Sequence, residues 1–597
     1  MILNTANIRN FCVISHIDHG KTTLTDRFLG LTHTVAAKDM TDRLLDSNPI
    51  EQERGITIKL APVRMHYSLN SVSYILNLID TPGHVDFSYE VSRSLAACEG
   101  AVLLVDATQG IQAQTMANAA HALAANLTII PVVNKIDLDF AETAKVINDL
   151  CVTFNFKPED ILCISAKTGQ NVPELLEAII NRIPAPKGDK NQPLQALVFN
   201  SFYHPHHGVI ASVRVINGQI QPGTTLQLMA TQTSFTFTQI GYFTPKLTPS
   251  SGLNLGEVGF IATGLKDLSQ CRPGDTITSV DSPAAALPGY FHPQPMVFMD
   301  LYPIDNQDFI KLKTSLDKLR LVDSSLNFEP TSSAVLGSGY KVGFQGLLHA
   351  DVVQERLERE FDLDLVITNP SVAYQVELNK DRQVLEISSP VAFPDPTLIA
   401  QIREPFINVT IFTPLQYLGK VMDLCRHSRC ELADQQFFST QVKLLYHMPL
   451  QELISDFFGQ LKSVSSGFAS LDWQFLDFRP ADVVKLEVLL NRQPTDPLAR
   501  LTIRSKAQSL AQSIATHLKK VIPRQQFEVP IQVCLGGHIL ARETIKAFRK
   551  DVTVKLHAAD LGRKNKLLEK QRRGKKRMKR VGKIDLPQEA FLSFLQR

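Results

Sequence analysis

Residues 15–23, SHIDHGKTT, combine a glycine, a lysine and two threonines at a spacing that can bind phosphate. In such a loop, backbone N–H groups and a helix N-terminus point at phosphate oxygens. Gly20 would let the backbone approach closely, Lys21 would bring a positive charge to the β- and γ-phosphates, and Thr22 could place its hydroxyl on Mg²⁺. Ser15 stands where the usual pattern begins with glycine, which costs little if its backbone is extended. The stretch predicts a phosphate-binding loop, and a plain Gly-Lys turn before a helix is the alternative.

Two later motifs supply side chains for a metal ion and for hydrolysis. RGIT holds Thr57, whose hydroxyl could complete a Mg²⁺ shell, and DTPGH holds Asp80, which suits the metal through water. Gly83 could offer its N–H to a γ-phosphate, and His84 could orient an attacking water, a role that glutamine often has. The predicted catalytic residues are His84, Lys21 and Gly83, and the predicted Mg²⁺ ligands are Thr22, Thr57 and Asp80.

Two further motifs predict recognition of a guanine base. In NKID, the carboxylate of Asp137 would accept hydrogen bonds from guanine N1–H and the exocyclic amine, and adenine has neither donor, so GTP is favoured over ATP. SAK, residues 165–167, ends the last predicted strand and could close over the base. The predicted nucleotide-binding residues are Asp18, His19, Gly20, Lys21, Thr22, Thr23, Asn134, Lys135, Ile136, Asp137, Ser165, Ala166 and Lys167.

These motifs stand at the ends of short apolar segments within residues 8–184. The segments, predicted as strands, are RNFCVIS, SYILNLID, GAVLLVDA, LTIIPVVNKID and DILCISA. Helical stretches separate them, which is typical of a parallel sheet covered by helices. Ligands of such sheets bind at the carboxyl ends of the strands, so the motifs should converge on one crevice. Together and in this order, they predict a GTP site.

Length and composition indicate a multidomain globular protein. The chain has 597 residues, too many for one core, and it is 44% hydrophobic and 20% charged. Its eight cysteines are scattered without a C-x-x-C pair, so neither a disulfide framework nor a zinc ribbon is indicated. The N-terminal residues do not read as a secretory signal, and no apolar run approaches the ~20 residues that span a bilayer. A cytoplasmic location is expected.

The C-terminal end is strongly basic. Residues 563–583 contain twelve Lys or Arg and one Glu, a net charge of +11, and the total of +3 leaves −8 for the rest of the chain. Such a stretch favours a polyanionic partner. Because no aromatic residues are interleaved, contacts to the backbone of folded RNA are favoured over base stacking. A solvated charge run and an anionic lipid surface remain alternatives.

The nucleotide motifs resemble a known family. SHIDHGKTT, ERGITI, DTPGHVDF, NKID and SAKTG resemble the G domain of ribosome-associated translational GTPases such as elongation factors G and Tu. The resemblance implies that His84 positions the hydrolytic water. It also implies that Ile17 and Ile56 restrain the His84 side chain until the ribosome docks. It also implies GTP and GDP as ligands, Mg²⁺ as cofactor, and a monomer.

Motifs in the remaining chain narrow the resemblance to the elongation factor 4 (LepA) family. They are FDLDL, QERLEREFD, LKSVSSGFASLDW, ARETIKAFRKDVT, RKNKLLEKQRRGKKRMK and PQEAF, and they extend the similarity almost end to end. Departures from the family pattern are Ser15, Gln345 in place of leucine, Ala350–Asp351, Cys430 in place of glycine, and residues 556–560. The resemblance implies contacts with rRNA and tRNA through the C-terminal domain.

The predicted fold class is multidomain α/β and α+β. A P-loop GTPase domain is expected at residues 1–185 and an antiparallel β-barrel at 186–282, where turn motifs punctuate β-branched runs. Two ferredoxin-like βαββαβ domains are expected at 290–370 and 371–480. They include a strand at 332–338 and a helix at 450–464. A special C-terminal domain with a basic RNA-binding tail completes the chain at 481–597.

The function expected from the resemblance is a ribosome-dependent GTPase of translation elongation. It would bind the ribosome in its GTP form and move tRNAs back by one codon or remodel stalled ribosomes. No arginine finger is evident in the chain, so hydrolysis should be slow alone and fast with a partner. Two alternatives remain: a GTP-timed assembly factor for ribosomal subunits, and a switch that binds peripherally to the inner face of the cell membrane.

Overall fold

Five β-sheets follow one another along the part of the chain that the structure describes. The computed structural model describes residues 5–46, 48–288, 295–323, 325–333, 336–368, 370–438, 441–525 and 527–548, together with Leu568, Glu569 and Gln571. The sheets and their helices confirm the predicted mixed α/β and α+β class. The basic stretch 563–583 and the departures at 556–560 lie outside the described residues, apart from the three named here.

The first sheet is the nucleotide fold. Its strands are β1 (Ile8–Ser15), β2 (Ala61–Leu69), β3 (Val72–Asp80), β4 (Gly100–Asp106), β5 (Thr128–Asn134) and β6 (Leu162–Cys163), and its helices are α1 (Lys21–Leu31), α2 (Pro49–Arg54), α3 (Ser88–Ala96), α4 (Ala113–Ala124), α5 (Thr143–Phe154) and α6 (Val172–Arg182). The strand order is β2-β3-β1-β4-β5-β6. The predicted strands are parallel, and β4 is buried along its whole length, as expected of a sheet covered on both faces. Strand β2 pairs antiparallel to β3 and was not predicted.

The second sheet is antiparallel throughout. Its strands are β7 (Gln195–His204), β8 (Gly208–Asn217), β9 (Thr225–Leu228), β10 (Thr233–Thr236), β11 (Gln239–Thr244), β12 (Lys246–Pro249), β13 (Val258–Ala262) and β14 (Thr276–Ser279). They are ordered β10-β9-β14-β7-β8-β13-β11-β12 and enclose an apolar core. The sheet agrees with the predicted barrel in strand direction, and its end strands are β10 and β12.

The third sheet has the βαββαβ order that the sequence predicts. Its elements are β15 (Val297–Pro303), α7 (Phe309–Arg320), β16 (Asn327–Ser333), β17 (Gly337–Phe344), α8 (Leu347–Phe361) and β18 (Leu365–Ile367), with the strands ordered β16-β17-β15-β18. The strand predicted at 332–338 is wrong, because this segment covers the end of β16 and the start of β17. Pro330 lies inside β16, and it is tolerated there because β16 is an edge strand.

The fourth sheet repeats this architecture behind an additional hairpin. Its elements are β19 (Tyr374–Leu378), β20 (Val384–Ile387), β21 (Ile399–Pro414), α9 (Leu418–His427), β22 (Glu431–Phe437), β23 (Gln441–Pro449), α10 (Leu450–Glu452), α11 (Phe458–Val464) and β24 (Ser470–Pro480). The helix predicted at 450–464 is wrong as one continuous helix. Ser455 and Asp456 leave helical geometry between α10 and α11, and Asp456 has φ +74°.

The last described sheet belongs to the C-terminal region. Its elements are β25 (Val483–Leu490), β26 (Gln493–Pro494), β27 (Arg500–Ile503), α12 (Arg504–Val521), β28 (Val529–Leu535) and β29 (His538–Ile545). Helix α12 packs an alanine-rich face against this sheet. Within the described ranges, no helix has the length and hydropathy needed to cross a membrane.

Contacts between sheets fix the surroundings of the nucleotide fold. The third and fourth sheets share one continuous hydrophobic core. Arg64 of β2 forms a buried ion pair with Glu257 at 3.0 Å and stacks over the ring of Tyr242 at 3.7 Å, which joins the first and second sheets. Helix α4 contacts β24, and Ser470 Oγ accepts the backbone N–H of Ala113 at 3.0 Å. The first sheet is therefore held on two sides by its neighbours.

Candidate nucleotide-binding site

The predicted phosphate loop connects β1 to α1. Ser15 is the last residue of β1, so its backbone is extended, as the sequence argument requires. Gly20 precedes α1 with φ +93°, a left-handed conformation that favours glycine. A Cβ at Gly20 would lie 2.5 Å from Asn134 Nδ2. Both the backbone angle and this close approach to Asn134 of NKID therefore require a glycine at position 20.

Lys21 lies at the centre of a buried polar group. Its Nζ donates to Asp80 Oδ1 at 2.9 Å and to Thr57 Oγ1 at 3.1 Å, and it also contacts the carbonyl oxygen of Thr81. The Thr57 hydroxyl donates to Asp46 Oδ1 at 3.1 Å. The structure thus brings together three predicted site residues that are distant in sequence. Of the other two predicted residues in the first turn of α1, Thr22 is half-buried and Thr23 is exposed.

Asp46 is a member of this group that sequence reasoning missed. Burial, with the nearby carboxylates of Asp80 and Glu51, raises the pKa of Asp46 to about 6. The Oδ2 atoms of Asp46 and Asp80 are buried and have no hydrogen-bond partner. Asp46 Oδ2 does lie 3.7 Å from Arg43 Nη1 in an ion pair. Carboxylate oxygens beside a threonine hydroxyl are the hard ligands that Mg²⁺ prefers, so the residues present fit that ion. In the sequence, Asp46 is only an acidic residue before RGIT. Acidic residues are too common for one of them to be identified as a site residue without a motif.

Asn134 connects the phosphate loop to the SAK segment. Its Nδ2 donates to the carbonyl oxygen of His19 at 2.9 Å, and its Oδ1 accepts the N–H of Ala166 at 2.9 Å. Lys135, with φ +64°, donates to the carbonyl oxygen of Asp18 at 2.6 Å. These bonds bring three of the predicted nucleotide-binding segments into one rim at the carboxyl ends of the strands.

The remaining predicted residues of this rim differ in exposure. Asp137 and Lys167 are exposed, Ile136 is half-buried, and Ser165 is buried with its Oγ accepting the N–H of Thr168 at 3.1 Å. Sequence reasoning missed Asp106, whose Oδ2 lies 2.8 Å from Lys135 Nζ.

Two histidines of the phosphate loop are held neutral. Burial lowers the pKa of His19 to about 4, and burial together with the neighbouring His19 and His84 lowers the pKa of His16 to about 3. His19 Nδ1 accepts the N–H of Asp106 at 3.2 Å. These rings therefore shape the loop without adding charge to it.

His84 faces a cavity next to the loop. Its Nδ1 accepts the backbone N–H of Asp86 at 3.1 Å, and the ring lines a cavity of about 750 Å³. Gly83 lies against the phosphate loop, where a Cβ would be 3.7 Å from the carbonyl oxygen of Ser15 and 3.8 Å from Ile17 Cγ1. Ile56 packs elsewhere, in an apolar cluster around Phe87. The structure thus places Ile17, but not Ile56, beside Gly83, and the gating role of both residues remains a prediction.

Three family models match successive parts of the chain. Residues 6–185 match the family model described as the elongation factor Tu GTP binding domain. Residues 401–489 match the elongation factor G C-terminus, and residues 490–596 match the GTP-binding protein LepA C-terminus. A protein named elongation factor 4 from Kineococcus radiotolerans is 50% identical over 590 residues, 98% of this chain and 94% of the relative. One from Parabacteroides distasonis is 49% identical over 592 residues, 99% of each chain.

The chain belongs to the elongation factor 4 family. It is a translational GTPase that binds GTP and is associated with the ribosome, as the resemblance predicts. A solved structure from Thermus thermophilus has 17% identity and a TM-score of 0.59, and the match covers 80% of this chain and 97% of that one. At that identity, the likeness concerns the fold alone.

In this family member, the segment after DTPGH caps a helix of the third sheet. Asp86 Oδ2 accepts the backbone N–H groups of Leu348 at 2.8 Å and His349 at 3.3 Å, at the N-terminus of α8. A Cβ at Gly346 would lie 2.2 Å from the Asp86 carboxyl carbon, so the carboxylate fits because residue 346 is a glycine. A carboxylate at a helix N-terminus is stabilised by the unpaired N–H groups and by the helix dipole.

Ion pairs extend this contact to the end of α2, which includes the arginine of RGIT. Arg54 of α2 pairs with Glu355 of α8 at 2.6 Å, and Arg359 of α8 pairs with Glu53 at 2.6 Å. Helix α8 therefore contacts both segments that flank the predicted metal site. The sequence could not show this contact, because its partners are about 300 residues apart and carry no motif.

Proposed function

We propose that this GTPase is triggered on the ribosome and moves a translocated tRNA–mRNA complex back by one codon, or remodels a stalled one. The observation that carries the proposal is the double contact of α8. The same helix contacts the end of α2, through Glu53 and Arg54, and the segment after DTPGH, through Asp86. Both segments lie next to the predicted γ-phosphate position, so a change in either would be passed to the third sheet. Loss of the γ-phosphate relaxes such segments in switch proteins.

The predicted site residues would act as follows. Lys21 would exchange Asp80 for the β- and γ-phosphates, and Asp137 would accept hydrogen bonds from the guanine edge. Thr22, Thr57 and Asp80 would hold Mg²⁺, which neutralises phosphate charge when it is bound. Asn134 would keep the base rim joined to the phosphate loop.

His84 would orient water through its Nε2 atom. Because its Nδ1 accepts the N–H of Asp86, the ring proton is on Nε2. A protonated Nε2 donates a hydrogen bond to the water oxygen, so the ring would position the nucleophile without removing its proton. Docking of the ribosome would place this Nε2 atom against the attacking water.

Turnover measurements test the trigger. We expect GTP hydrolysis to be slow alone and strongly stimulated by intact ribosomes, since no arginine finger is evident in the chain. His84→Ala should keep GTP binding and lose the stimulated rate, whereas His66→Ala, at an exposed position of β2, should keep both. Unchanged stimulated turnover in His84→Ala would contradict the mechanism.

The position of the mRNA tests the direction of movement. Ribosomes carrying tRNAs in the post-translocation state are mixed with the protein and GTP, and the leading edge of the ribosome on the mRNA is mapped by primer extension. A shift of one codon toward the 5′ end is expected. A shift toward the 3′ end, or none, would refute back-translocation while leaving the GTPase assignment intact.

The basic stretch 563–583 is proposed to bind rRNA and tRNA, although all but three of its residues lie outside the described part of the chain. Deleting the residues after 560 should spare intrinsic hydrolysis and flatten the salt dependence of RNA binding, because each neutralised phosphate contributes to that slope. Stimulation only by isolated small subunits would favour the assembly-factor alternative, and stimulation by anionic vesicles would favour the membrane switch. We also propose that the protein is a cytoplasmic monomer whose domain boundaries lie near residues 185, 282, 370 and 480.

A further inference from the structure

The cavity that His84 lines has acidic side chains in a wall that is otherwise largely apolar. It lies between α4, β24 and segments of the third and fourth sheets, and its volume is about 750 Å³. The described lining residues include Asp86, Glu386 and Asp472 but neither lysine nor arginine. Asp86 is already bound to α8 and Glu386 is exposed. Asp472 therefore remains as the buried carboxylate of this cavity whose negative charge no lining side chain balances.

Asp472 lies in β24 and is 7% exposed. No basic side chain of the described chain forms an ion pair with it, and its burial raises its pKa to about 7, against the opposing effect of the Trp473 amide. A buried carboxylate without a positive partner is costly, and buried charges are normally paired. A cation in the cavity would supply the missing partner.

Two hydrogen-bond donors on the same wall also lack acceptors. Gln345 Nε2 and His121 Nδ1 are buried and have no hydrogen-bond partner. The amide nitrogen of Gln474 faces His121 Nε2 at 3.4 Å and can only donate, so the ring proton of His121 is on Nδ1. Since buried polar atoms are nearly always paired, these two donors beside the Asp472 carboxylate indicate a polar occupant.

Aromatic rings complete the wall. Trp473, Phe475 and Phe478 line the cavity beside Asp472. Aromatic faces attract an organic cation and pack against its carbon skeleton. The volume lies within the range of small-molecule sites.

We propose that this cavity binds a small organic amine that also carries hydroxyl oxygens, such as an amino polyol or amino sugar. Its ammonium group donates to Asp472, its oxygens accept from Gln345 and His121, and its carbon skeleton lies against the aromatic wall. The proposal does not depend on the direction of tRNA movement, because it concerns binding to the isolated protein.

The chain provides its own reporter. Trp473 is the single tryptophan of the sequence, so intrinsic tryptophan emission reports on this wall alone. The full-length protein is titrated at constant ionic strength near pH 8, where Asp472 and an aliphatic amine are both charged. The probe is N-methyl-D-glucamine. Sorbitol has the oxygens without the charge, and hexylamine has the charge without the oxygens.

We expect a saturating change of Trp473 emission with N-methyl-D-glucamine and binding at least about tenfold weaker for sorbitol and for hexylamine. Asp472→Asn should remove the preference for N-methyl-D-glucamine over sorbitol. Gln345→Leu should weaken N-methyl-D-glucamine and leave hexylamine unchanged. Glu386→Gln, which neutralises the exposed carboxylate on the same wall, is the matched control and should change neither.

Three results would overturn the proposal: no emission change with N-methyl-D-glucamine, equal binding of sorbitol, or unaltered preference in Asp472→Asn. An emission change produced only by MgCl₂ would overturn it as well. Asp472→Asn replaces an unpaired carboxylate with an isosteric amide, and its circular dichroism should match that of the parent protein.

Discussion

The contact between Asp86 and α8 predicts a specific coupling between two substitutions. The Asp86 carboxylate is 6% exposed and accepts two N–H groups at the helix N-terminus. Asp86→Ala removes both bonds, and loss of such a cap costs about 1–2 kcal/mol. Gly346→Ala should cost a similar amount, because its Cβ would lie 2.2–2.3 Å from three carboxyl atoms and would push the carboxylate out.

The double variant distinguishes this account from two independent defects. Without the carboxylate, the alanine at 346 has space, so the double variant should be no less stable than either single variant. The two effects should therefore fail to add by about 1–2 kcal/mol, within the range for residues in contact.

Native-state hydrogen exchange measures the effect locally, since a multidomain chain need not unfold in one step. The N–H groups of Leu348 and His349 should exchange about five- to thirtyfold faster in each single variant and in the double variant. Glu358→Gln, on the exposed side of α8, is the control and should leave both rates unchanged. Additive effects in the double variant, or unaltered protection in Gly346→Ala, would refute the reasoning.

Three further substitutions test the site and its support. Gly20→Ala should abolish GTP binding, measured by calorimetry, because of the left-handed φ and the 2.5 Å contact, while Gly30→Ala, with open space around it, should bind normally. Asp46→Asn should stabilise the nucleotide-free protein by about 1–3 kcal/mol above pH 6 and by little near pH 4. The raised pKa of Asp46 makes its ionised form a cost that disappears as pH falls, so a gain independent of pH in thermal unfolding would contradict this prediction. Arg64→Met should destabilise by about 3–5 kcal/mol, since it leaves the buried Glu257 carboxylate without its opposite charge, and an unchanged melting temperature would argue against that ion pair.

The fold of the nucleotide domain could be predicted because its motifs follow buried parallel strands. Lys21 and Asp80 meet although 59 residues separate them, since β1 and β3 are neighbours and both end at the same edge. Strand β2 was missed because it is an amphipathic edge strand without a strong apolar run. Its hairpin turns at Asn70 and Ser71, both with positive φ, and a serine in place of the usual glycine weakens the turn signal.

Other features depend on tertiary contacts that no local pattern encodes. The residues of 450–464 have the apolar spacing of one helix, yet Asp456 adopts a left-handed backbone and divides it. The Asp86 cap on α8 joins residues 262 positions apart, and short-range periodicity cannot show such a pairing. The predicted site residues were found through their motifs, whereas Asp46 lies in no motif and Asp106, although it ends β4, contacts Lys135 only in the folded chain.

The ion pair between Lys21 and Asp80 has a consequence for titrations of the site. An ammonium that already faces a carboxylate projects little positive field, so long-range attraction of a triphosphate is weak. If a bound phosphate took over that ammonium, as we propose, the carboxylate would be released and would become available to a divalent ion. We therefore expect each of the two to tighten the other by the same factor, as thermodynamic reciprocity requires.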